Sequence, residues 1–107
     1  MVSLPFSHQV YRLVKKVPRG RVTTYKAVAE ALGTKAYQAV GQALRRNPNP
    51  KAIPCHRVVA SEGSLGGFFG RKTKEALVKK KELLKKEGVE FEGLKIKNFE
   101  KLLFRFG

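Results

Sequence analysis

The chain has 107 residues, 42% of them hydrophobic, and no apolar run long enough to span a bilayer, so it is expected to be one small domain over residues 1–107 rather than a membrane protein or a repeat array. A single cysteine, Cys55, excludes an intramolecular disulfide, and two histidines, His8 and His56, are too few for the usual metal-ligand clusters. The formal charge of +15, from 23 Lys and Arg against 8 Asp and Glu, exceeds what solubility requires and points to a polyanion, with nucleic acid, an anionic membrane surface, ribosomal RNA and a lysine-rich solvated surface all left open by charge alone.

Met1-Val2-Ser3-Leu4-Pro5-Phe6 is too short and broken for an export segment, which places the chain inside the cell as an expectation. Val10, Leu13, Val14 and Val17 behind a cap at Ser7 predict a helix over residues 7–17, stopped by Pro18. Arg19-Gly20-Arg21 makes a turn. Thr24 as cap, then Tyr25, Val28, Ala29 and Leu32, predict a short second helix closed at Gly33. A third begins at Thr34, carries Tyr37, Val40, Gly41 and Leu44 on one face, and ends before Asn47-Pro48-Asn49-Pro50. Two short helices about a Gly-containing turn suggest a helix-turn-helix. Ala39 and Gly41 would let this third helix approach DNA closely while Arg45 and Arg46 find phosphates; a core helix with a cationic C-terminus fits the same residues.

Residues 57–60 predict a short extended segment, and 61–64 a turn. Gly66-Gly67-Phe68-Phe69-Gly70 predicts a sharply bent loop presenting a ring, or a hinge with two core phenylalanines. From Lys72 to Lys86, Ala76, Leu77, Leu83 and Leu84 form the apolar stripe of a lysine-rich helix that Gly88 caps and Val89 closes. Residues 91–107 show no clear period, but Leu102, Leu103 and Phe106 suggest packing on the body.

A lone cysteine is more often a small buried hydrophobe than a nucleophile. Here Pro54 fixes the backbone before Cys55, and His56 places a base beside it. Adjacent residues point apart, so His56 would reach the sulfur through water, oriented by one of the eight carboxylates.

The run Pro54-Cys55-His56-Arg57-Val58-Val59, preceded by Asn47-Pro48 and followed by the Gly-rich loop, closely resembles the active-site segment of the O6-alkylguanine-DNA alkyltransferases. The resemblance extends through Gly20-Arg21-Val22-Thr23-Thr24-Tyr25, Ala39-Val40-Gly41 and Glu87-Gly88-Val89, covering residues 6–91. It implies a mainly α fold, a winged helix-turn-helix-like core of three helices with a short β segment around the active-site loop. It further implies a monomer without cofactor, repairing double-stranded DNA that contains O6-alkylguanine. The family's frequent N-terminal domain has no counterpart in this reading. Cys55 would accept the alkyl group once, His56 held by Glu87 would take the thiol proton through water, and Tyr25 would protonate the leaving guanine. Asn47 would pin the turn before the active-site strand, and the carbonyls of Cys55 and Val58 would accept the guanine amine. Phe68 and Phe69 would close over the base, while Thr24, Gln38, Ala39, Gly41 and Arg45 would face DNA. The sequence departs from the family in two of these places: Gln38 stands where an arginine is usual, and Phe68 where tyrosine is frequent. The rival readings are an alkyltransferase-like protein that flags the lesion without transfer, against which Cys55 argues, and a basic helix-turn-helix regulator.

Overall fold

A computed structural model describes residues 4–65 and 73–106. Helix α1 spans Phe6–Val14, starting ahead of the expected Ser7 cap and ending before the expected residue 17. Pro18 disfavours a helical Val17, so the chain tightens: the Lys16 amide donates to Leu13 and that of Val17 to Val14. Val10, Tyr11 and Val14 are buried, and the Tyr11 hydroxyl donates to the Ala43 carbonyl at 2.6 Å, tying α1 to the third helix.

Helix α2, Tyr25–Ala31, is capped by Thr24, whose hydroxyl accepts from the Ala27 amide at 2.9 Å. Gly33 follows at φ +72°, the left-handed position that ends a helix without a Cβ penalty. Helix α3 runs Tyr37–Arg45 rather than from Thr34, because the Thr34 hydroxyl accepts from the Ala36 amide at 3.1 Å and holds a turn there.

Two-residue strand β1, Thr23–Thr24, pairs in parallel with β2, Val58–Val59, with Thr23 opposite Val58 and Thr24 opposite Val59. The sequence showed a turn at residues 19–21 and a cap at Thr24 but no strand, since two residues carry no visible alternation. Helix α4, Lys74–Lys86, starts two residues after the expected Lys72, on a Thr73 cap, and closes at Gly88 and Val89 as expected.

The tail is more ordered than its pattern suggested. Strands β3, Phe91–Glu92, and β4, Lys95–Ile96, form an antiparallel hairpin, and α5 spans Phe99–Leu102. Val22 bridges Leu103, its amide donating to Leu102 and its carbonyl accepting from Phe104, so the tail extends the β1–β2 pair on its other side. On its second edge β4 meets residues 63–65: the Leu65 amide donates to Leu94, and the Ile96 amide to Gly63.

Two apolar clusters result. One packs α1, α2 and α3 around Val10, Val28, Val40, Val58 and Cys55; the other joins Val22, Val59, Leu65, Leu84, Val89 and Ile96. The fold is thus mainly α with a short β segment beside Cys55, the architecture read from the sequence. The turn that carries Cys55 sits where the clusters meet, because β2 sends Val58 into one and Val59 into the other.

Candidate active site

After α3 the chain turns on Asn47, whose side-chain nitrogen donates to the Ile53 carbonyl at 2.8 Å while its oxygen accepts from the Asn49 amide at 2.9 Å. These bonds aim residues 53–55 back into the core. Residues Cys55–Arg57 form one 3-10 turn, and Cys55 is only 5% exposed. Burial pushes its thiol above the ordinary range; a hydrogen bond with Asn47 and the charge of Lys80 oppose that rise.

His56 and Arg57 emerge from the same turn and converge on Glu87. His56 Nε2 lies 3.0 Å from Glu87 Oε2; Arg57 donates from Nε to Oε1 at 2.9 Å and from Nη2 to Oε2 at 2.6 Å. Arg57 Nη1 also donates to the Val17 carbonyl at 2.9 Å, and Arg19 Nη2 to the Lys86 carbonyl at 2.8 Å, so the turn after α1 grips the end of α4. The Glu87 side chain is 6% exposed. Burial pushes its carboxyl up, but Arg57 and His56 outweigh that and hold it below the usual range. Burial pushes His56 below the ordinary histidine value despite Glu87, so it is neutral at pH 7. An ionised Glu87 only accepts, which places the His56 proton on Nε2 and leaves Nδ1 as the base.

Glu87 caps the C-terminal end of α4, where the helix dipole disfavours an anion. The Arg57 fork and His56 account for it there.

Tyr25, the first residue of α2, is half-buried, with its ring centroid 5.8 Å from Lys80 Nζ. Thr24 is 5% exposed and its hydroxyl is engaged as the α2 cap, a poor placement for a DNA contact through that group. On α3, Gln38, Gly41 and Arg45 recur at helical spacing along the face away from buried Val40, Ala43 and Leu44. Gln38 and Arg45 are exposed, Gly41 has open space where a Cβ would stand, and Ala39 lines a cleft of about 510 Å³ against α1. Val58 is fully buried, and its carbonyl accepts from Lys80 Nζ at 2.7 Å. Phe68 and Phe69 lie outside the described residues.

A cleft of about 620 Å³ is lined by Lys15, Lys51, Cys55, His56, Lys79 and Glu87 among others. Among the described residues no group of three His, Cys, Asp or Glu could hold a metal. What this arrangement offers is a thiol, a neutral imidazole oriented by a charged carboxylate, and a phenol. Those are the parts of nucleophilic displacement with proton removal.

Sequence reasoning missed Lys80. Position 80 lies three residues after Leu77 and four before Leu84, so it falls on the apolar stripe of α4. A lysine on that stripe was the available signal.

The family model described as the DNA-binding domain of 6-O-methylguanine DNA methyltransferase matches residues 5–89. A methylated-DNA–protein-cysteine methyltransferase of Saccharolobus solfataricus is 45% identical over 92 residues, covering 86% of this chain and 53% of that protein. The chain thus spans about half the length of the curated relatives it matches. Among solved structures, S. pombe Atl1 in complex with damaged DNA containing O6-carboxymethylguanine aligns with a TM-score of 0.78 at 26% identity, over 99% of this chain and 100% of that one. The O6-methylguanine-DNA methyltransferase of Pyrococcus kodakaraensis aligns with a TM-score of 0.66 at 46% identity, over 80% of this chain and 47% of that one.

Proposed function

Since the chain belongs to the family of 6-O-methylguanine DNA methyltransferase DNA-binding domains, we propose that it repairs DNA by moving an alkyl group from O6-alkylguanine onto its own Cys55. The observation that carries this reading is the convergence of His56 and Arg57 on Glu87 beside a buried thiol. A protein that only gripped phosphates would gain nothing from holding a neutral imidazole there.

In the proposed step the Cys55 proton passes through water to His56 Nδ1. The sulfur attacks the alkyl carbon; the S–C bond forms as the C–O6 bond breaks, and the electron pair leaves on guanine. Tyr25 donates its hydroxyl proton to a guanine ring nitrogen and recovers one from solvent, which makes the base a better leaving group. The thioether has no route back to a thiol, so each molecule acts once.

The lesion reaches Cys55 only if its base leaves the stack, at a cost of a few kcal/mol. In this reading α3 lies in the minor groove, Gln38 occupies the gap, Arg45 meets phosphate and Asn47 holds the acceptor turn. The Cys55 and Val58 carbonyls take the guanine amine; Val58 also serves Lys80, and a carbonyl has two lone pairs. The net charge of +15 supplies the sequence-independent attraction. We further propose that it acts as a monomer inside the cell, with its DNA. Among the described residues no helix is long and apolar enough to cross a membrane.

The whole-chain alignment with S. pombe Atl1 favours a second reading, lesion binding without transfer. Incubation with an O6-methylguanine duplex followed by mass spectrometry of the Cys55 peptide separates the two. The transfer reading expects one methylene-sized gain on that peptide; lesion-selective binding without the gain would overturn it in favour of the second. Equal binding to plain and damaged duplex, again without the gain, would refute both.

A further inference from the structure

In the cleft of about 620 Å³, Cys55 and His56 are joined by three lysines from separate elements: Lys15 at the end of α1, Lys51 in the turn before Cys55, and Lys79 on α4. All three are exposed, and among the described residues none lies within 4 Å of a carboxylate. Glu87, the carboxylate that lines the cleft, has Arg57 across both of its oxygens and is 6% exposed. Arg57 cancels it and His56 is neutral, so the three lysine charges stand uncompensated beside the thiol. Like charges gathered around one concave space repel one another, and the field they focus there suits an entering anion.

The displacement itself says which part of a substrate would enter. The carbon under attack must touch the Cys55 sulfur, so whatever that carbon carries lies within a bond or two of the sulfur, at the wall of this cleft. A methyl group would leave nearly all of the volume empty and offer the lysines nothing to meet.

We propose that the cleft selects alkyl groups that end in a carboxylate: Lys15, Lys51 and Lys79 hold the carboxylate of such a group while the carbon next to it is transferred from O6 of guanine to Cys55. This names a substrate class for the proposed transfer and rests on that reading. For a carboxymethyl group, the Cys55 proton leaves through water to His56, and the S–C bond forms as the C–O6 bond breaks. The electron pair leaves on guanine, which takes the Tyr25 proton, and the carboxylate passes through unchanged, leaving S-carboxymethylcysteine. The lysines exchange no proton in this step; they act as point charges that decide which alkyl group is favoured.

The test compares two duplexes alike except for one charge, carrying O6-carboxymethylguanine or its neutral isostere O6-carbamoylmethylguanine. Single-turnover transfer to Cys55 is timed for each by mass spectrometry. The ratio of the two rates is the readout, because a general change in duplex affinity or in the acceptor cancels in it. In a triple variant, Lys15→Gln with Lys51→Gln and Lys79→Gln, the carboxymethyl-to-carbamoylmethyl ratio should fall about tenfold, each exposed pair being weak by itself. The native ratio should also shrink as salt rises, which attraction to the DNA backbone, common to both duplexes, does not cause. A ratio that is the same in the native chain and the triple variant overturns the proposal; if that variant does not fold, a native ratio independent of salt overturns it. Methyl gain from O6-methylguanine with an unmoved ratio would sink this preference alone, whereas no gain from any of the three duplexes would sink the transfer reading and the preference with it.

Discussion

The Arg57 guanidinium spans both oxygens of Glu87, and His56 shares the Oε2 that Arg57 Nη2 grips at 2.6 Å. With the two side chains 16% and 6% exposed, removing one partner strands the other in the core. Arg57→Ala should therefore cost about 3 kcal/mol, and Arg57→Lys should not rescue it, because an ammonium cannot reproduce the fork. The sign with pH follows from Glu87, whose carboxyl lies below the usual range in the folded chain. Its contribution is present above the unfolded carboxylate value and is lost as pH falls through the folded one. Urea midpoints at neutral and strongly acid pH should differ more for the native chain than for Arg57→Ala. Equal differences would show that the pair contributes nothing to acid stability.

Glu87→Gln keeps the shape of the side chain but removes the charge that fixes the His56 tautomer. If His56 is the base, single-turnover transfer should fall by about a hundredfold, with duplex affinity nearly unchanged. Parallel losses in transfer and binding would instead mean that Glu87 only holds the fold together.

The helices that build the first cluster were legible because Val10, Val14, Val28, Val40 and Leu44 carry a helical period over several turns. Their ends were less so: Pro18 shortened α1 and the Thr34 hydroxyl delayed α3, both local contests that periodicity does not record. The β1–β2 pair joins residues 35 positions apart through two residues a side, too few for any pattern to show. Cys55, His56 and Asn47 could be read from one short run, whereas Arg57 gained its part only when the fold brought Glu87 to it. Lys80 stayed hidden in a stretch where most lysines are solvated, and its place on the apolar stripe was outweighed by composition.

Gln38 stands exposed on the face of α3 proposed to meet the minor groove. Gln38→Arg adds a cation there without disturbing a buried contact, so the melting temperature should stay where it is. Affinity for damaged duplex should rise, and the dependence of log affinity on log salt should steepen by up to about one phosphate contact. An unchanged salt slope and affinity would place position 38 away from the DNA.

Gly63 adopts φ +89°, and a Cβ built there would sit 2.9 Å from Phe99 Cγ. Gly63→Ala therefore meets two penalties, a left-handed backbone that alanine disfavours and a ring that must move, together costing about 2 kcal/mol. The Gly63 carbonyl accepts from the Ile96 amide, and the neighbouring Leu65 amide donates to Leu94, so loss of the Phe99 contact should loosen the hairpin at both bonds. Amide exchange should consequently accelerate at Ile96 and Leu65 far more than at Val40 on α3. Because the Leu65 carbonyl is also held by Lys80, the disturbance should reach the acceptor and slow Cys55 alkylation. A chain destabilised equally at Val40 and Ile96 would mean that the tail and the three-helix core open as one unit, and the tail would have no separate influence on the site.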